Sequence, residues 1–198
     1  MRVPNAEHTS RPWRIHEIAP DFRVEDVWRP PEVGGPDDFE RVIATVTSYD
    51  PARSTSFAVR NLFAARWKLG ELLDLDDDDA GVGARVPTLR DRLPGDLQAA
   101  RRPAFDALPF KSLYLLDDEF AAEAANRTMH GVLHLGRIPL DGGGFRVQLA
   151  VIVKPNGLLG HAYMAAIKPF RYLLVYPPLL AEIGEAWRKP APAARASS

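Results

Sequence analysis

Residues 145–155, FRVQLAVIVKP, alternate so regularly that only one local structure fits them. Phe145, Val147, Leu149, Val151 and Val153 fall on one side, and Arg146, Gln148, Ala150, Ile152 and Lys154 on the other. Successive strand side chains point to opposite faces, so this period of two predicts a β-strand and excludes an amphipathic helix. The preceding stretch TMHGVLHLG alternates in the same way, and the two are joined through the glycine run DGGGF. Together they predict a half-buried antiparallel pair with a tight connection.

The same reading extends the sheet upstream. FKSLYLLDDEF sets Leu113 and Leu115 against Tyr114 and Leu116, and APDFRVEDVW sets Phe22 and Val24 against Arg23 and Glu25. RPWRIHEI also alternates and is expected to be a short first strand. RPPEVGGP then interrupts regular structure, and the period changes. Phe39, Val42, Ile43 and Val46 recur at helical spacing after a proline and two acids. A second helix is expected after Ser54 or Ser56, with Val59, Leu62, Phe63, Leu69 and Leu73 on a broad face. A long apolar helix is expected over about 158–188, kinked at Pro169 and bent or broken at Pro177 and Pro178. Residues 1–10 are expected to be a flexible lead-in, 11–188 one domain, and 189–198 a disordered tail of low complexity.

An antiparallel sheet must cover its apolar face, and a long final helix can do so. This order of elements resembles the helix-grip fold of the START and Bet v 1-like superfamily. The phrases HTSRPWRIHEI, DFRVEDVW, GGPDDF, TLRDRLP, NRTMHGVLHLG and VKPNGLLGHAYMAAIKPFR resemble, more closely, a bacterial family known as domain of unknown function 2867. The resemblance implies an α+β fold: a curved antiparallel sheet wrapped around a long C-terminal helix, with a cavity between them that encloses apolar ligands. It implies no residue roles.

A net charge of -1 offers no bulk attraction to nucleic acid or to an anionic membrane surface. The absence of cysteine excludes disulfides, thiolate metal sites and a cysteine nucleophile. The first residues lack the apolar run of a signal peptide, so a cytoplasmic location is expected. His161, Lys168 and Arg171 argue against membrane insertion of 158–180.

His130 and His134 lie four residues apart. In a helix that spacing brings two rings to about 6 Å, within reach of one zinc; in a strand it separates them by about 13 Å. Gly131 and Val132 favour the strand, so no metal is expected, and no cofactor. Thr128, His130 and His134 then share a strand face, with Arg146 and Gln148 alternating on another strand beside it. Either these polar residues bond to their neighbours within the sheet, or they border the cavity beneath the final helix and contact a ligand. Tyr163, Met164 and Ile167 of that helix would pave the cavity. A histidine so placed also has the chemistry of an acid or base, although no catalytic residue is identified.

Other polar groups have plainer readings. Glu119 and Glu123 are expected to be exposed strand charges, Arg90 and Arg92 to pair within a turn, and Asp76–Asp79 to form a solvated acidic loop. Asn156 and Gly157 mark a structural strand-to-helix turn. Three functions stay open: a binding protein for a small apolar or amphipathic molecule, an enzyme using the same pocket, and a structural or interaction protein with a filled interior. No nucleophile elbow, dinucleotide fingerprint or zinc motif supports the enzyme.

Overall fold

The computed structural model describes residues 1–35, 38–54, 57, 60, 64, 82–83, 86–126, 128–157, 160–161, 180–181 and 184–185. At its centre is the expected hairpin. Strand β6 (Met129–Pro139) pairs with β7 (Phe145–Pro155) along its whole length, from Met129 opposite Pro155 to Pro139 opposite Phe145. The turn closes through Gly143 N donating to Leu140 O at 3.0 Å. Gly144 has a φ of 75°, and a Cβ there would lie 2.6 Å from the carbonyl oxygen of Gly34, so only glycine fits.

The sheet grows outward from this hairpin. On one side β5 (Glu119–Ala125) pairs with β6, and β4 (Lys111–Leu115) pairs with β5. On the other, β2 (Arg23–Trp28) pairs with β7 and β1 (Arg2–Val3) with β2, giving the order β1-β2-β7-β6-β5-β4. The two-residue β3 (Val33–Gly34) also pairs with the start of β7. All these pairings are antiparallel.

Both faces of the sheet are buried. On the first, Val27, Ala121, Val132, Ala150 and Ile152 pack against Trp13, Ile15 and Ile18 and against Leu89, Leu93 and Leu97. These covering residues come from around the short helices α1 (Ala6–Thr9) and α2 (Arg14–Ile18), and from 3-10 turns at Leu89–Arg92 and Gly95–Leu97. On the second face, α3 (Asp38–Thr47) lays Phe39, Val42, Ile43 and Val46 over Phe120, Leu135, Phe145 and Val147. Leu180 packs on this same side, against Trp28 and Leu149.

The helix-grip expectation is overturned. Among the described residues the molecule is a seven-stranded antiparallel sheet with three short helices and no long C-terminal helix. The physical reason is that the cover comes from elsewhere: short N-terminal helices and 3-10 turns seal one face, and α3 lies on the other. Most of the helix expected over 158–188 lies outside the described residues. So do Tyr163, Met164 and Ile167, most of the second helix expected after Ser54, the Asp76–Asp79 run and the 189–198 tail. No helix among the described residues is long and apolar enough to cross a membrane.

The strand expected in RPWRIHEI is instead α2. Ile15 and Ile18, three apart, both rest on the sheet with 1% exposure. Five residues are too few for the helical period to show against an accidental alternation.

Candidate functional site

The first sheet face carries a polar network where an apolar core is the norm. Glu119 and Glu123 alternate with Ala121 on β5 and point into this face, at 2% and 0% exposure. Their expected exposure is therefore wrong. Each carboxylate is held by the start of a helical segment packed across the sheet. Glu119 accepts from Arg14 N at 2.8 Å and Ile15 N at 3.0 Å, the first two amides of α2, where Trp13 supplies no side-chain cap. Glu123 accepts from Leu89 N at 3.0 Å and from the Thr88 hydroxyl, at the start of the Leu89–Arg92 turn. Free amides and the partial positive charge at a helix start favour a carboxylate there.

Each glutamate also meets a histidine of β6. His130 Nε2 lies 2.8 Å from Glu123 Oε2, and His134 Nε2 lies 3.1 Å from Glu119 Oε1. The second contact is at ion-pair distance but off the line of a well-directed hydrogen bond. The Tyr114 hydroxyl donates to Glu119 as well. Burial alone would raise the Glu119 pKa; His134, Tyr114 and the Arg14 amide outweigh it and hold the carboxyl below its ordinary value. Glu123 behaves alike, with burial outweighed by His130, the Leu89 amide and Thr88. Burial, together with the Glu119 charge and hydrogen bond, pushes Tyr114 well above its usual value.

The chain of contacts continues beyond His134. His8 Nε2 and His134 Nδ1 are 3.0 Å apart, and both residues are wholly buried. Burial, reinforced by His134 and His16, lowers the His8 pKa to about 2. His8 is thus neutral, with one nitrogen engaged by His134 and Nδ1 left without a hydrogen-bond partner among the described residues.

Beside this chain sits a second group of polar atoms whose bonds are not made. Register aligns Glu119, Gly136 and Gln148 in one row across β5, β6 and β7. Trp13 lies over the middle of the row, so close that a Cβ on Gly136 would be 2.6 Å from a ring carbon. Trp13 Nε1, both ends of the Gln148 amide and Arg146 Nε are buried without partners among the described residues. A buried amide lacking hydrogen bonds costs about 1–3 kcal/mol per group, so such atoms are rare in folded chains.

The register of β6 against β7 puts His130, His134, Gln148 and Arg146 on one face. That face lies under the N-terminal helices, whereas Leu180 packs on the opposite one. Most of the final helix expected to cover this face lies outside the described residues. Thr128 has 1% exposure, and its hydroxyl donates to Asn126 Oδ1 at 2.7 Å within a local turn. Arg90 binds the Ser112 carbonyl and Arg92 pairs with Asp21, which also takes Lys154 at 2.8 Å. Among the described residues no group of three or more histidines or acids is placed to hold a metal ion.

His8, Trp13, Tyr114, Glu119 and Glu123 were not legible as site residues. One signal was present: Glu119 and Glu123 have the same four-residue spacing as His130 and His134 on the next strand. Matching spacings on paired strands place both acids beside both histidines whenever the registers agree.

The model of the family described as "Protein of unknown function (DUF2867)" matches residues 18–178, and the chain belongs to that family. No curated protein and no solved structure shows significant similarity to it.

Proposed function

We propose that this member of the DUF2867 family is a small-molecule-binding protein whose ligand presents a hydrogen-bond-accepting group, such as a carboxylate, to Trp13, Gln148 and Arg146. The observation that carries this reading is Gln148: it is wholly buried, and neither end of its amide has a partner among the described residues. Trp13 Nε1 adds a donor beside it. Arg146, two residues along the same face and half-buried, adds a guanidinium at the edge. Convergent donors in an apolar surround are how small-molecule sites orient a polar head. His130 and His134 hold the fold in this reading, because their rings are already committed to Glu123 and Glu119.

Native mass spectrometry of protein purified from its own host tests the proposal, with Gln148→Leu and Arg146→Gln alongside. The expected result is a small molecule retained by the wild type and lost from both variants. A bare wild-type mass together with a higher Tm for Gln148→Leu would overturn it, since leucine would then merely remove an unsatisfied core group.

A further inference from the structure

The second sheet face carries a pocket that the polar network does not touch. It has a volume of about 510 Å³ and is lined by Phe39, Glu40, Arg101, Leu115, Leu116, Asp117 and Arg137. That volume falls within the range of about 300–1,000 Å³ typical of small-molecule sites. Phe39 comes from α3, Leu115 from the end of β4, Asp117 from the β4–β5 turn and Arg137 from β6. Three apolar side chains thus meet four charged ones.

The four charges are not equivalent. Arg101 and Glu40 neutralise each other, at 2.5 Å. Arg137 has no ion pair or side-chain hydrogen bond among the described residues; its guanidinium is stacked 4.9 Å from the Phe145 ring centroid, which holds it in place. Asp117 has no ion pair either, and it is exposed. Arg137 N donates to the backbone carbonyl of Asp118 at 2.7 Å, so the β4–β5 turn and Arg137 keep a fixed spacing. Among the described residues the pocket therefore presents one uncompensated cation and one uncompensated anion beside the edges of three apolar side chains.

We infer that this pocket binds an amphipathic zwitterion of about amino-acid size, with its anionic group on Arg137, its cationic group on Asp117 and its apolar body against Phe39, Leu115 and Leu116. A simple anion would face Asp117 as well as Arg137, and a simple cation the reverse. Only a ligand carrying both charges meets both side chains favourably. The site stands on the opposite face from Gln148 and does not depend on the proposal made for it.

Isothermal titration of the full chain with three probes of one shape tests the inference. L-phenylalanine carries both charges, 3-phenylpropionate only the anion and phenethylamine only the cation. Phenylalanine is expected to bind at least tenfold more tightly than either. Arg137→Gln should erase its advantage over phenethylamine, and Asp117→Asn its advantage over 3-phenylpropionate. Arg137→Lys, which keeps the charge, should retain part of the binding, and Gln148→Leu should change nothing. Equal or undetectable binding of all three probes to wild-type protein would overturn the inference. So would loss of binding in Gln148→Leu, or variants at Arg137 and Asp117 that bind as the wild type does.

Discussion

Glu123 of β5 and His130 of β6 stand 2.8 Å apart on adjacent strands, yet neither is directly opposite the other. Register sets His130 against Ala125 and Glu123 against Val132, so the contact is diagonal across one face. Glu119 and His134 repeat it with the same offset, His134 facing Ala121 and Glu119 facing Gly136. In both cases the carboxylate also holds the first amides of a helical segment. The two pairs act as clasps that fasten short helices, too short to be stable alone, onto the sheet.

Breaking one clasp should therefore cost more than an average core substitution. Glu123→Leu is expected to lower stability by about 3–5 kcal/mol, because it leaves His130 and the Leu89 amide buried without a partner. Adding His130→Leu should recover part of that loss. Urea unfolding of the two single variants and the double variant measures the coupling.

Acid should loosen the same face in two stages. His8 has a folded pKa of about 2 against an ordinary value of 6.5, so between these values the unfolded chain binds the extra proton. Its contribution is present above pH 6.5 and is lost as pH falls, by up to about 1.4 kcal/mol per pH unit. Glu119 and Glu123, held below their ordinary 4.5, add a further loss as pH falls below that value. Thermal melts from pH 8 to 2 should show both stages in wild type. His8→Phe should flatten only the first.

Gly136 is needed for contact rather than for backbone conformation. Gly136→Ala would press a methyl group against the Trp13 ring, at a cost of about 1–3 kcal/mol. Trp13→Leu in the same chain should relieve most of the clash, so the double variant should fall well short of the sum of the two single losses.

Leu180 tests the opposite face. Its burial against Trp28 and Leu149 makes Leu180→Ala destabilising by about 2–3 kcal/mol. The acid-induced loss assigned to His8 should keep its slope in that variant, since the two residues lie on opposite faces of the sheet.

The sequence by itself determined the sheet centre. Alternation over 145–155 and 129–135, with glycines between, leaves a hairpin as the one arrangement that serves both segments, and 39–46 carries its helical period openly. It also placed His130 with His134 on one face of β6, and Arg146 with Gln148 on one face of β7, because strand geometry links residues two apart; the register between the strands put the two pairs together. Tertiary structure alone decided what that face meets. Glu119 reads as a solvated charge until Arg14 and Ile15, over a hundred residues earlier, arrive to take its oxygens. Trp13 reads as part of a strand until those same bonds start α2 behind it. Pattern is a local property of the chain, whereas the burial of a charge depends on partners that only folding brings near; the helices sealing the first face are too short to announce themselves by period.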